Sequence, residues 1–208
     1  MSAATIPADS RNNIAGHGDC GPAPVRIVVS FGFWVFLLSD IVMFSALFAA
    51  YAVLHDHTAG GPTGRQLFNL THVAIETGSL LFSSFTCGIL TLCAEARSKV
   101  GTYLAATVTL GLGATFLGIE ITEFAGMVSQ GAGPSRSAFL SAFFTLVGTH
   151  GLHVTAGMVW LLVILAQVAN WGFRPATMRR LQCFALFWHA LDIVWVALFS
   201  VVYLMGMG

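Results

Sequence analysis

The chain has 208 residues, of which 56% are hydrophobic and only 9% charged, and its nine basic and nine acidic residues leave no formal net charge. A chain this apolar and this poor in charge belongs in a bilayer, and its composition gives no sign of nucleic-acid binding. Five apolar stretches, at about 28–54, 72–94, 101–128, 138–169 and 181–206, are each long enough to cross and do not alternate with polar residues, which predicts an all-α integral membrane protein built as a five-transmembrane-helix bundle.

Residues 1–25 form a polar tail, expected to be mobile, and 26–208 a single transmembrane domain. The tail lacks the apolar core of a cleavable signal peptide, so the first span is expected to direct insertion. In that span Asp40 sits among Leu37, Leu38, Ile41 and Val42, with no basic residue nearby. Two readings stay open for it: a protonated acid bonded to a backbone carbonyl or to Ser39, or a carboxyl that exchanges protons beside a partner's pathway. The cluster Gly60-Gly61-Pro62-Thr63-Gly64 then turns the chain.

In the second span Glu76, Ser79, Ser83 and Thr86 fall on one helical stripe, and in the third Gly111, Thr115, Gly118 and Thr122 do the same. Small and hydroxylated residues let helices approach closely, so both stripes are expected to face neighbouring helices. Glu120 and Glu123 lie roughly opposite the second of these stripes, which implies protein on both sides of the third span and a central place for it. After the turn Gly131-Ala132-Gly133-Pro134-Ser135, the fourth span carries His150, His153 and Gly157 on one face. The fifth carries Gln182, His189 and Ser200 on one face with Asp192 beside it, and Trp188, Trp195 and Phe199 as an adjacent aromatic ridge suited to lipid or to a partner subunit.

An odd number of spans puts the termini on opposite sides. One side holds seven basic residues, Arg11, Arg26, Arg97, Lys99, Arg174, Arg179 and Arg180, and the other only Arg65 and Arg136. The excess of positive charge predicts a cytoplasmic N-terminus and a periplasmic C-terminus. Cys20, Cys87, Cys93 and Cys183 are scattered with no CxxC pair and read as small apolar side chains.

No basic residue lies in an apolar stretch, yet five acids do: Asp40, Glu76, Glu120, Glu123 and Asp192. A charged, unpaired carboxylate at the bilayer centre costs roughly 2.5 to 3.5 kcal/mol. Retaining five requires that they be protonated, hydrogen-bonded to groups such as His150, His153 or His189, or turned toward protein and water. The pairs Glu120/Glu123, His150/His153 and His189/Asp192 are each spaced i, i+3, which is compatible with a di-metal site in a bundle, but the Glu-x-x-His pairing within one helix is absent. A haem would use His150, His153 or His189 as an axial ligand, and each sits beside an acid or another His that explains it more simply. A polar network joining helices is the favoured reading, with no catalytic residue, metal or cofactor held by this chain. A stand-alone proton or cation carrier and a membrane di-metal enzyme are the alternatives of other classes, and no inverted repeat of the transporter kind is present.

Four segments carry a family resemblance: FGFWVFLLSDIVMF from Phe31 to Phe44, GIEITEF from Gly118 to Phe124, FFTLVGTHGLHV from Phe143 to Val154, and LFWHALDIVWVALFSVVY from Leu186 to Tyr203. With these the chain resembles subunit III of the haem-copper terminal oxidases from about Ile27 onward. The segments TAGGPTG, GPSRSAFLSAFF and VVYLMG narrow the likeness to the cytochrome bo-type ubiquinol oxidases, with a five-span subunit III of a cytochrome c oxidase as the competitor. The resemblance implies a non-catalytic subunit of a bacterial inner-membrane, proton-pumping oxidase of the aerobic respiratory chain. It implies haem, copper and the ubiquinol site in subunit I, subunits I, II and IV as partners, and bound phospholipid. Asp40 matches a position where many relatives carry a carbodiimide-reactive Glu, and the shorter Asp is a departure. Seven spans are common in the family; this chain lacks the first two, which help to form a lipid-holding cleft.

Overall fold

The computed structural model describes residues 25–54 and 70–204. The polar tail, Cys20, the Gly60 to Gly64 turn and Arg65 lie outside the described residues. Within them the chain is all-helical: α1 (Val25–Leu54), α2 (Leu70–Glu95), α3 (Lys99–Ser129), α4 (Ala138–Trp171) and α5 (Pro175–Leu198), the last closing in a π-helical turn, Phe199–Leu204. All five are long and apolar enough to cross a membrane. Even the shortest, 24 residues in α5, spans about 36 Å at 1.5 Å per residue, more than a hydrocarbon core of about 30 Å.

The helix ends follow from local chemistry. Ser98 and Ser137 cap α3 and α4, their hydroxyls accepting from the Gly101 and Leu140 backbone N–H. Pro175 stands in the first turn of α5, where its missing N–H leaves no bond unmade. The α2–α3 turn is only three residues long and its Arg97 has φ 54°. It works because Gly101 lets α3 approach α2: a Cβ there would lie 2.9 Å from Cys93 Sγ.

In the bundle α1 packs on α4 and α5, α2 on α3 and α5, and α4 on α3 and α5. The central place is therefore shared by α4 and α5, each of which packs on three other helices, whereas the third span, expected to be central, packs on two. The small-residue stripe of α3 also departs from expectation: Gly111, Thr115, Gly118 and Thr122 are exposed, and a Cβ on Gly111 or Gly118 would meet nothing within 4 Å. The opposite face, with Thr109, Gly113, Phe116 and Glu120, is the buried one. In lipid an apolar or small-residue face carries no penalty for exposure, so hydrophobicity does not mark which side of a transmembrane helix turns inward.

The expected aromatic ridge of α5 is also core, since Trp188 and Trp195 are 2% and 0% exposed. Trp188 lies in a notch between two helices, where a Cβ on Gly113 of α3 would be 3.2 Å, and one on Gly157 of α4 2.9 Å, from its ring. Its Nε1–H donates to Ser83 Oγ of α2 at 3.1 Å. One indole thus joins α2, α3, α4 and α5, with Gly113 and Gly157 at the contact. Filling this notch with Gly157→Val is expected to destabilise the chain by about 1 to 3 kcal/mol, while Gly118→Ala does not, a contrast read from denaturation midpoints followed by circular dichroism in detergent.

Candidate functional site

The intramembrane acids and histidines lie on all five helices, and most of them bond across a helix contact. Asp40 of α1 meets His153 of α4, Oδ1 to Nε2 at 3.1 Å. On its other side His153 Nδ1 lies 2.7 Å from the Thr149 carbonyl. A carbonyl only accepts, so Nδ1 carries a proton and the Asp40 bond is made through Nε2. The partner of Asp40 is thus an imidazole one helix away rather than Ser39, which donates to the Phe36 carbonyl of its own helix.

On the other side of the bundle Glu123 of α3 pairs with His72 of α2, Oε1 to Nδ1 at 3.2 Å, with His72 half exposed. His189 of α5 shares a 2.7 Å hydrogen bond with Ser84 of α2. Asp192, one turn further along α5, lies beside the same hydroxyl and imidazole. Two further bonds tie hydroxyls into the core: Trp195 Nε1–H donates to Thr77 Oγ1 at 3.1 Å, and Thr86 and Thr109 join α2 to α3 at 2.8 Å.

Three groups stand apart. Glu76, 1% exposed, and Glu120, 5% exposed, are near enough to interact electrostatically, and Glu76 Oε1 and Glu120 Oε2 have no hydrogen-bond partner among the described residues. The Glu120 carboxyl presses on the backbone of Gly151, where a Cβ would clash with it, so this glycine admits the acid. His150 is fully buried, and neither ring nitrogen has a partner among the described residues. It is boxed by aromatic rings, with centroids 5.3 Å to Trp195, 5.7 Å to Phe116 and 6.3 Å to Phe44. The sequence expectation that His150 finds a polar neighbour is therefore not met, because Phe116 and Trp195 fill the space around it.

Two of the three i, i+3 pairs diverge. Glu120 turns to Gly151 and Glu123 to His72; His150 enters the aromatic box and His153 goes to Asp40. Among the described residues no group of three or more His, Cys, Asp or Glu side chains is arranged to hold a metal. His72, Thr77, Ser84 and Thr109 escaped the sequence reading. His72 was within reach of it: the start of α2 and the end of α3 share one side of the membrane, which puts His72 level with Glu123.

Comparison with known proteins gives the setting. The family described as cytochrome c oxidase subunit III matches residues 11–207. The chain is 53% identical to the cytochrome bo(3) ubiquinol oxidase subunit 3 of Pseudomonas aeruginosa over 176 residues, covering 85% of this chain and 84% of that one. It is 48% identical to the quinol oxidase subunit 3 of Bacillus subtilis over 177 residues, 85% of this chain and 87% of that one. To the cytochrome c oxidase subunit 3 of Bacillus sp. (strain PS3) it is 43% identical over 178 residues, 85% of each.

The interhelical pairs predict a measurable coupling. In a double-mutant cycle with Asp40→Ala and His153→Ala, the coupling energy from detergent unfolding is expected at about 0.6 to 1.7 kcal/mol, the range of hydrogen bonds between membrane helices. Asp40→Asn retains most of it, because an amide still donates to Nε2.

Proposed function

The chain belongs to the cytochrome c oxidase subunit III family, and on that premise we propose that it is the non-catalytic third subunit of a proton-pumping, cytochrome bo-type ubiquinol oxidase in a bacterial inner membrane. The single observation that carries the structural half of this reading is how its polar groups are used: they bond helix to helix, as Asp40–His153, His72–Glu123 and Ser84–His189, and do not converge on a shared reaction site. A chain built this way supports another subunit's chemistry. The names of the relatives favour quinol as the electron donor.

In this reading haem, copper and the ubiquinol site belong to subunit I, against which the chain packs, with subunits II and IV completing the complex. The excess of basic residues on one side supports an N-terminus in the cytoplasm and a C-terminus in the periplasm. Lipids of the surrounding bilayer are the remaining partners. The intramembrane network of Asp40, Glu76, Glu120, Glu123, His150, His153, His189 and Asp192 serves to fix the helices, with no catalytic or metal-binding residue among them. A cytochrome c oxidase is the second reading, favoured by the likeness to the Bacillus sp. protein.

The purified complex is expected to oxidise ubiquinol and leave reduced cytochrome c untouched; oxidation of cytochrome c alone reverses the choice. Removing this chain should leave haem and copper per subunit I unchanged and the initial quinol oxidation rate intact, while activity decays faster during turnover. Loss of bound metal on removal refutes the non-catalytic role.

A further inference from the structure

Where α1, α2 and α5 meet, a half-open groove of about 420 Å³ runs inward from one face of the membrane. Its lining changes with depth. Arg179, Gln182, Leu186 and His189 fall on one face of α5, and the ten helical steps from Arg179 to His189 cover about 15 Å, half the hydrocarbon thickness. The groove is charged at its mouth, where Arg179 and Glu95 stand, and aromatic along its wall, with Phe33 and Trp34 of α1. The start of α1, the end of α2 and the start of α5 lie on the same side of the membrane, so this mouth is at headgroup depth.

The two charges at the mouth line one groove but do not pair: no ion pair within 4.0 Å joins Glu95 to Arg179, and neither has another ion-pair partner among the described residues. The adjacent Arg180 is engaged elsewhere, donating to Gln167 of α4 at 2.7 Å. A guanidinium and a carboxylate held apart over an apolar slot complement a ligand that carries both signs at one end and hydrocarbon at the other. We propose that this groove binds a zwitterionic, amine-bearing phospholipid, with its phosphate on Arg179, its ammonium on Glu95 and an acyl chain along Phe33, Trp34 and Leu186. Guanidinium suits phosphate because its fork of donors matches two phosphate oxygens. Glu95 supplies the selectivity, since a phospholipid with an uncharged glycerol head gives the carboxylate no cation to meet.

The proposal rests on the lipid-partner part of the reading above and deepens it. The complex is reconstituted in nanodiscs with equal phosphatidylethanolamine and phosphatidylglycerol, and the lipid retained by this chain is read by native mass spectrometry as adducts on the chain's own mass. Expected are one retained phosphatidylethanolamine on the unaltered chain, loss of that preference in Glu95→Gln so that both lipids are held alike, and at least about tenfold lower retention of either lipid in Arg179→Gln. Lys99→Gln, a charge change outside the groove, should alter neither. An unchanged lipid ratio in Glu95→Gln, unchanged retention in Arg179→Gln, or an equal loss in Lys99→Gln overturns the proposal; the last marks general surface attraction. Inorganic phosphate added in excess should not displace the lipid, and displacement would show an anion site without lipid character. Failure to co-purify with oxidase subunits refutes the earlier reading instead, because the adduct is measured on this chain alone.

Discussion

Inside the hydrocarbon layer a polar side chain can bond only to protein, and this constraint decides how the five helices are held. Hydrophobic burial does little between them, because lipid tails are as apolar as Leu. Packing and directed hydrogen bonds are left to do it. The structure places such bonds at several of its helix contacts: Asp40–His153 for α1 with α4, His72–Glu123 and Thr86–Thr109 for α2 with α3, and Ser84–His189 for α2 with α5. Each is worth on the order of 1 kcal/mol, too little to hold a bundle alone. Their directionality is the larger contribution, since each fixes the rotation and depth of one helix against another.

Packing supplies the remainder and converges on α5. Trp188 enters the notch opened by Gly113 and Gly157, and Trp195 stacks edge-on against Phe116 at 4.6 Å. Each indole also donates its N–H to a hydroxyl of α2, Ser83 and Thr77 respectively. Large rings with one polar atom suit this place: they fill volume and still define an orientation. Close to them the fold also carries a cost. His150 lies against Trp195 and Phe116 without a hydrogen bond to the described residues, and an unsatisfied buried polar group costs about 1 to 3 kcal/mol. The junction of α3, α4 and α5, with Glu76 and Glu120 alongside, is therefore less stable than an all-apolar junction of the same shape.

Much of the fold was legible because hydropathy is a strong signal when the solvent is lipid: five apolar stretches became five helices. Facing was not legible. The stripe of Gly111, Thr115, Gly118 and Thr122 read as a helix contact and turned out exposed, while Gly113, two residues along, is the glycine that receives Trp188. Helical spacing identifies which residues share a side but not which side is inward, and in a membrane both answers are compatible with apolar surroundings. The same limit affected the polar residues. That acids would meet imidazoles followed from the cost of burying charge; that Asp40 would choose His153 and Glu123 would choose His72 depended on which helices are neighbours.

This division of labour also shapes what the chain offers a partner. The bonding capacity of its acids and imidazoles is largely directed inward, and the hydroxyls left on the outside are satisfied at home, with Thr115 donating to the Gly111 carbonyl and Thr122 to the Ile119 carbonyl. A subunit packing on such a surface finds few groups to bond and must fit by shape, against the bulky outer side chains of α1 such as Phe31, Trp34 and Val42 or the flatter glycine-bearing side of α3. Shape fitting of this kind requires a rigid template, because a surface that rearranges forfeits the close contacts on which dispersion depends. The internal hydrogen bonds meet that requirement: by fixing the rotation of each helix inside the chain, they fix the relief it presents outside.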